Sequence, residues 1–186
     1  MTEPSKKDVA PGALETVRQF VNTYDLEDDK DEIASPDALS AWLSAHDLPI
    51  APPTDADVAT FRDAREALRA LMLANNGAPR DASAVARLNE LADSVPMRLQ
   101  FGADSTLEPA GQGLKAALGT LIATVHASME DGTWPRLKAC RDDNCQWAFY
   151  DHSRNRSGTW CSMEVCGNRA KARTFRARKG SAPQTP

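Results

Sequence analysis

No apolar run in this chain of 186 residues reaches the ~18 residues that a membrane span needs. The opening stretch MTEPSKKDVAPG lacks the apolar segment of a secretory signal. The chain is therefore expected to be cytoplasmic, where thiols stay reduced. Dinucleotide and phosphate-loop patterns of the GxGxxG and GxxxxGK types are absent, so no nucleotide loop is indicated. Histidines number only three. His46, His126 and His152 stand at no recognised spacing from a serine or cysteine partner. No catalytic constellation emerges, and the expectation is a protein that is not an enzyme. Aromatic residues are sparse at 6%. Cysteine is scarcer still, with four residues, and its distribution is the first positive signal.

All four cysteines fall between Cys140 and Cys166, in the pattern C-x4-C-x15-C-x4-C. Two pairs separated by a hairpin's length suit a structural zinc site, in which four thiolates satisfy a tetrahedral ion and leave no position open for water. Two disulfides would require an oxidising compartment. One structural Zn2+ on Cys140, Cys145, Cys161 and Cys166 is the expectation. The metal would also answer a stability problem, because a segment of about 40 residues buries too little apolar surface to fold alone. His152 is a competing ligand that four cysteines make unnecessary.

Charge divides the chain. The net charge of −4 resolves into −11 over residues 1–135 and +7 over residues 136–186. From Gly167 to Gly180 there are six Lys or Arg and no acid. On a helix of 100° per residue, Arg169, Arg173 and Arg176 form one stripe, with Lys171 and Arg178 on the other flank. Val165, Asn168, Ala172 and Phe175 share the side expected to pack. Arg154 and Arg156 add charge in the preceding turn. Arginine's fork suits phosphate and guanine edges, so these seven basic residues are the candidate nucleic-acid contacts. The alternative is a solvated basic helix docked on the acidic body. If the body does mask the helix, the isolated finger should bind nucleic acid more tightly than the whole chain.

The body reads as mainly α. Helical spacing runs through Leu14, Val17, Phe20/Val21 and Tyr24, followed by an acidic loop, LEDDKDEI. Ser35 and Pro36 open a helix with Leu39, Trp42 and Leu43 inward. Thr54 opens the longest one, burying Val58, Phe61, Leu68, Leu71 and Met72 and stopping at Asn75-Asn76-Gly77. A shorter helix spans about Asp81 to Asp93. MRLQFG and STLEP alternate as a hairpin through Gly102-Ala103-Asp104. A last helix points Leu114, Leu118, Leu121/Ile122, Val125 and Met129 inward. In the cysteine module, QWAFYD and GTW read as two strands, with Trp147 and Phe149 on one face. The fold class is mainly α with a small β-hairpin: an α-helical N-terminal domain and a C-terminal zinc module that resembles a treble clef. The expected organisation is a disordered start over 1–11, an α-rich domain over 12–133, a zinc module over 134–180 and a disordered tail over 181–186.

The stretch VCGNRAKARTFRARK resembles the CGNR zinc finger, a family named for residues found here as Cys166-Gly167-Asn168-Arg169, and the cysteine spacing agrees with it. FVNT at Phe20–Thr23, the SPDALSAWL helix and the arginine-bearing third helix resemble the ABATE domain that usually precedes this finger in bacterial proteins. Where many relatives have an apolar-Asp-Phe step before VNT, this chain has Arg18-Gln19-Phe20. The resemblance implies a stress-induced transcription regulator whose basic finger binds DNA. Asn22, Thr23, Trp42, Arg62 and Arg65 are candidates for a pocket that takes a small-molecule effector. The competing reading makes Asn22 and Thr23 a helix cap, and Arg62, Arg65 and Arg69 surface ion pairs with Asp63 and Glu66. One short helix reads few base pairs, so a homodimer would supply specificity. Alternatives are an RNA-binding module stacking bases on Trp147 and Tyr150, and a protein–protein adaptor or thiol redox switch.

Overall fold

The computed structural model describes residues 9–102 and 105–180, and the side chains of that range through Ala177. The terminal segments expected to be disordered, and the turn residues Ala103 and Asp104, lie largely outside it. Residues 9–11 are the exception: Ala10 is buried and its N–H donates to Glu15 Oε2 at 2.8 Å.

Helix α1 (Leu14–Val21) buries Leu14, Val17, Phe20 and Val21, the face that the spacing predicts. It stops before Tyr24, which enters a short antiparallel hairpin of β1 (Tyr24–Asp25) and β2 (Lys30–Asp31). The acidic stretch expected as a loop is thus an ordered projection. Asp25 turns it by accepting from Glu27 N at 2.9 Å, and the Tyr24 hydroxyl donates to Asp29 at 2.8 Å. Helix α2 (Pro36–Ala45) starts at Ser35, whose hydroxyl accepts from Ala38 N at 3.3 Å. Helix α3 (Asp55–Asn75) starts in a capping box between Thr54 and Asp57, which satisfies N–H groups that the first turn leaves unpaired. Helix α4 (Ala82–Ser94) is capped by Asp81.

Strands β3 (Met97–Phe101) and β4 (Ser105–Pro109) form the expected hairpin, in the register Leu99↔Leu107. It leads into α5 (Gly113–Glu130). That helix buries Leu118, Leu121 and Val125, but Met129 near its end is 43% exposed rather than inward. None of the described helices is long and apolar enough to cross a membrane.

The cysteine module departs most from the expected strand pairing. Strand β5 (Leu137–Ala139) precedes the first cysteine and pairs with β6 (Ala148–Tyr150), in the register Lys138↔Phe149. The segment GTW is not a strand. The hairpin therefore closes around the first cysteine pair instead of spanning the gap between pairs. Leu137, Ala139, Ala148 and Tyr150 belong to the same buried cluster as Phe20, Phe61, Leu71 and Val125. The finger's hairpin is a wall of the body's core.

Polar side chains of the body complete this junction. Asn22 Oδ1 accepts from Ala148 N at 2.7 Å while its Nδ2 donates to Ala148 O at 2.9 Å, so one side chain imitates a neighbouring strand at the edge of β6. Asn75 donates to the carbonyls of Trp134 and Leu137, each at 2.9 Å. Asn76 donates to Ala139 and Thr159, each at 2.8 Å. The asparagines that end α3 thus also hold the finger's backbone. Buried backbone groups need such partners, because leaving them unpaired costs the full desolvation penalty.

Candidate metal centre and basic helix

Cys140 follows β5 directly. Cys145 lies in the turn that Asp142 organises, its carbonyl accepting from Cys145 N at 2.8 Å and Gln146 N at 3.0 Å. Cys161 sits in the irregular segment after β6. Cys166 lies in a wide helical turn, Met163–Gly167, which runs into helix α6 (Asn168–Gly180). Ser162 caps that turn by accepting from Val165 N. Knuckle, hairpin and helix start thus deliver one thiol pair each way, as a treble-clef-like module requires.

The four Sγ atoms all lie within 4.8 Å of one another. Cys145 and Cys161 are separated by 3.5 Å, and Cys161 and Cys166 by 3.8 Å. Sulfurs about 2.3 Å from a tetrahedral zinc ion are separated by about 3.8 Å along each edge, so the donor set fits the ion. The thiols' electrostatics point the same way. Hydrogen bonds from Cys145 and Cys161 hold the Cys140 thiol far below the ordinary value. Hydrogen bonding to Cys140 pushes the thiols of Cys145 and Cys161 up, and burial pushes Cys166 up. Four thiolates can coexist here only around a cation, which strips the protons from coordinating thiols. The cluster is able to hold one zinc ion, and its closed ligand set makes the role structural.

A zinc ion with four thiolates keeps a net double negative charge, and arginines surround it. Arg69 is buried on α3 and donates to Gln146 O at 2.9 Å, beneath the knuckle. Burial lowers its pKa, while Glu66 and the neighbouring Cys145 oppose that shift. Arg173 Nη1 lies 3.4 Å from both carboxylate oxygens of buried Asp142, tying α6 to the knuckle. Arg169 forms a bidentate ion pair with Glu27 on the acidic hairpin. Its pKa is raised, first by the hydrogen bond to Glu27, with Cys166 also contributing.

The expected packed face is largely exposed: Val165 is 46% and Phe175 60% exposed, and Asn168 is exposed as well, while Ala172 is half-buried. Two of the stripe's arginines find charged partners rather than an apolar surface: Arg169 meets Glu27 on the body's hairpin and Arg173 meets Asp142 of the finger's own knuckle. Lys171 and Arg176 are exposed on α6, as are Arg154 and Arg156 in the loop after β6. The side chain of Arg178 lies outside the described residues.

Behind that loop lies a buried pair. Lys138 Nζ donates to Asp151 Oδ2 at 2.7 Å and to the carbonyls of Arg156 and Gly158 at 2.7 and 2.9 Å. Asp151 also accepts from Gly158 N at 2.8 Å and Ser153 N at 2.9 Å. A Cβ at position 158 would stand 2.8 Å from that carboxyl group, which explains the glycine. Burial pushes the Asp151 carboxyl up, but Lys138 and the hydrogen bonds from Ser153 and Gly158 outweigh it and hold the pKa at about 2.

The five candidate pocket residues are not gathered into one cavity. Asn22 and Thr23 line a recess of about 220 Å³ with Asp25, Asp28, Lys30, Glu32 and Trp147. Trp42 is in the core, 5.4 Å from the Phe20 ring and stacked on His46 at 4.0 Å. Arg65 and Arg69 do pair with Glu66, at 2.7 and 2.9 Å, but both arginines are buried rather than on the surface; Arg65 also donates to Asp31 at 2.8 Å and Thr23 at 3.1 Å, and lies over the Tyr24 ring. Arg62 Nε lies 2.9 Å from the same Asp31. Asn22 and Thr23 do follow α1, but Asn22's side chain serves the finger. His152 stands apart from the thiols and contacts Val9 O at 2.9 Å. Sequence reasoning missed Glu27 and Asp142. The acidic run around Glu27 was the available signal for the first.

Four clustered thiols between a knuckle and a helix start define a zinc-finger protein. The family model of the CGNR zinc finger matches residues 136–179. The ABATE family model, described as "Putative stress-induced transcription regulator", matches residues 15–131. That second match covers more than half of the chain, and the chain belongs to the ABATE family, with a CGNR finger following the ABATE domain. A comparison with curated proteins gives no match.

Proposed function

We propose that the protein is a DNA-binding transcription regulator that acts by binding rather than catalysis. In this reading the zinc ion fixes the start of α6 and the helix carries the DNA contacts. One observation carries it: α6 is basic and largely exposed, with Lys171 and Arg176 exposed on it. A helix that is polar all round gains little from its own chain and is suited to a charged partner. Phosphates are that partner's chemistry. Arg154 and Arg156, exposed in the loop after β6, add positive charge to the finger. Arg169 and Arg173 serve first as internal ties and become DNA contacts only when released. A second copy would supply a second helix for an extended site.

Fluorescence anisotropy of the zinc-loaded chain on duplex DNA across a salt series tests this. Binding should weaken with a log–log slope of about −0.9 per phosphate contact. The Lys171→Ala/Arg176→Ala variant should flatten that slope by about two contacts. Absence of duplex binding at low salt would overturn the reading in favour of a protein-facing helix.

A further inference from the structure

Strand β3, of sequence MRLQF, is the outer strand of its hairpin: β4 packs along α5, while Arg98, Leu99, Gln100 and Phe101 of β3 are all exposed. Phe101, at 83%, is the most exposed large apolar side chain among the described residues, and Leu99 is 53% exposed. The edge carries its hydrogen-bonding groups in a definite phase. Ala110 N donates to Pro96 O at 2.8 Å, in line with the register Met97↔Pro109. Antiparallel ladders alternate bonded and non-bonded pairs. Arg98 and Gln100 therefore bond across to Glu108 and Thr106, and the N–H and C=O groups of Met97, Leu99 and Phe101 point outward. The outer edge of β4 bears Pro109, which has no N–H to offer. A proline or a bulge commonly blocks an edge, since an open one pairs with another chain; β3 has neither.

We infer that β3 pairs antiparallel with β3 of a second copy of this chain, centred on Leu99, so that two hairpins form one four-stranded sheet. The contact is isologous and two-fold. Centred there, every outward residue finds a bonded partner: Leu99 with the second copy's Leu99, Met97 with its Phe101, and Phe101 with its Met97. These side chains share one face by period two, and each Phe101 ring gains a methionine sulfur as neighbour. Charge and length select the register. Centring on Leu99 sets Arg98 between Glu108 of its own hairpin and the second copy's neutral Gln100. Centring on Arg98 would oppose two arginines directly, which is destabilising. Centring on Gln100 would carry Met97 past the end of the facing strand. The inference takes up the second copy that the DNA-binding reading calls for, but it stands on the strand edge alone.

The test is sedimentation equilibrium of the zinc-loaded full chain over a concentration series, without DNA. The wild type should dimerise. Leu99→Lys sets like charges at the centre of the seam and should weaken dimerisation roughly tenfold. Its urea midpoint as a dilute monomer should be unchanged, because Leu99 is half exposed. Leu99→Cys checks the register on a nearly native chain. The introduced thiols would face each other with Cα atoms about 5.5 Å apart, within disulfide reach, so oxidised glutathione should join two copies through position 99, as located by peptide mass analysis. Arg98→Cys sets its thiols on a diagonal of about 7–8 Å and should not join them. A wild-type monomer at every concentration, a dimer untouched by Leu99→Lys, or joining through Arg98→Cys in preference to Leu99→Cys would each overturn the inference. None of these outcomes bears on duplex binding, which the anisotropy series decides separately.

Discussion

Arg169, the arginine of the Cys-Gly-Asn-Arg run, clasps the carboxylate of Glu27 on the acidic β1–β2 hairpin, 142 residues earlier in the chain. Both groups are solvent-accessible, so the contact is a weak one. It links the first turn of the basic helix to the acidic hairpin. Glu27 accordingly sits below the ordinary carboxylate range, held there by the guanidinium.

Glu27→Gln should free Arg169 and raise duplex-DNA affinity by about two- to fivefold, the effect expected of one exposed ion pair. The gain should shrink as salt rises, because exposed pairs are screened. Unchanged affinity at low salt would count against masking by this hairpin. The whole chain is the right material, since the finger's hairpin shares the body's core.

Chelation should release α6 without unfolding the body. All four thiols belong to the small cluster, but Cys140 and Cys145 are flanked by β5 and β6, whose buried residues lie in the main core, whereas Cys161 and Cys166 have no such flanking strands. After zinc removal, limited proteolysis should cut between Asp151 and α6 and leave a folded core reaching Tyr150. Cleavage spread across α1 to α5 would show that the metal supports the whole fold. One zinc per chain should restore protection, with the affinity that four-thiolate sites derive from coupled folding.

Asp151 should govern stability at acid pH. Its carboxyl titrates at 3.8 when unperturbed and at about 2 in the fold. A lowered folded value means that the contribution is complete above about pH 4 and is lost as pH falls through 2. Its size is about 2 kcal/mol. Asp151→Ala should cost more, about 3–5 kcal/mol, because Lys138 would remain buried with no counter-charge. Urea titrations at pH 7 and pH 3 check both: the variant should be destabilised at pH 7, and its deficit relative to wild type should narrow at pH 3.

Asn22→Ala should remove the two hydrogen bonds that close the edge of β6. A loss of about 2–4 kcal/mol is expected from unpairing a buried N–H and C=O, tempered by Arg18, whose Nη1 is 3.4 Å from the same carbonyl. Urea midpoints measure the loss. Zinc affinity should fall with it, since Ala148 lies three residues after Cys145. A variant that loses stability with zinc affinity intact would separate the two.

Much of the helical frame was legible, because caps and periodicity are local. Ser35, Thr54 and Asp81 begin their helices where hydroxyl and carboxylate chemistry places them. The thiol set was legible for a similar reason, as ligand spacing is a sequence property. The pairing of β5 with β6 was not. Both strands are short, and what selects them is burial against α1 and α3, which local alternation cannot report. Arg65 and Arg69 read as surface residues because charge usually marks exposure. Here Asp31, Glu66 and free carbonyls of the body satisfy them in the interior. The exposed side of α6 was misread because amphipathic phasing presumes an apolar neighbour, and its neighbours are Glu27 and Asp142.

The two-way grip of Asn22 on Ala148 and the double donations of Asn75 and Asn76 bear on inheritance. A finger transplanted from a relative would arrive with bare backbone at this seam unless the recipient already carried the three asparagines. Exchange of the two parts by recombination should therefore succeed only between chains that keep matching seam residues.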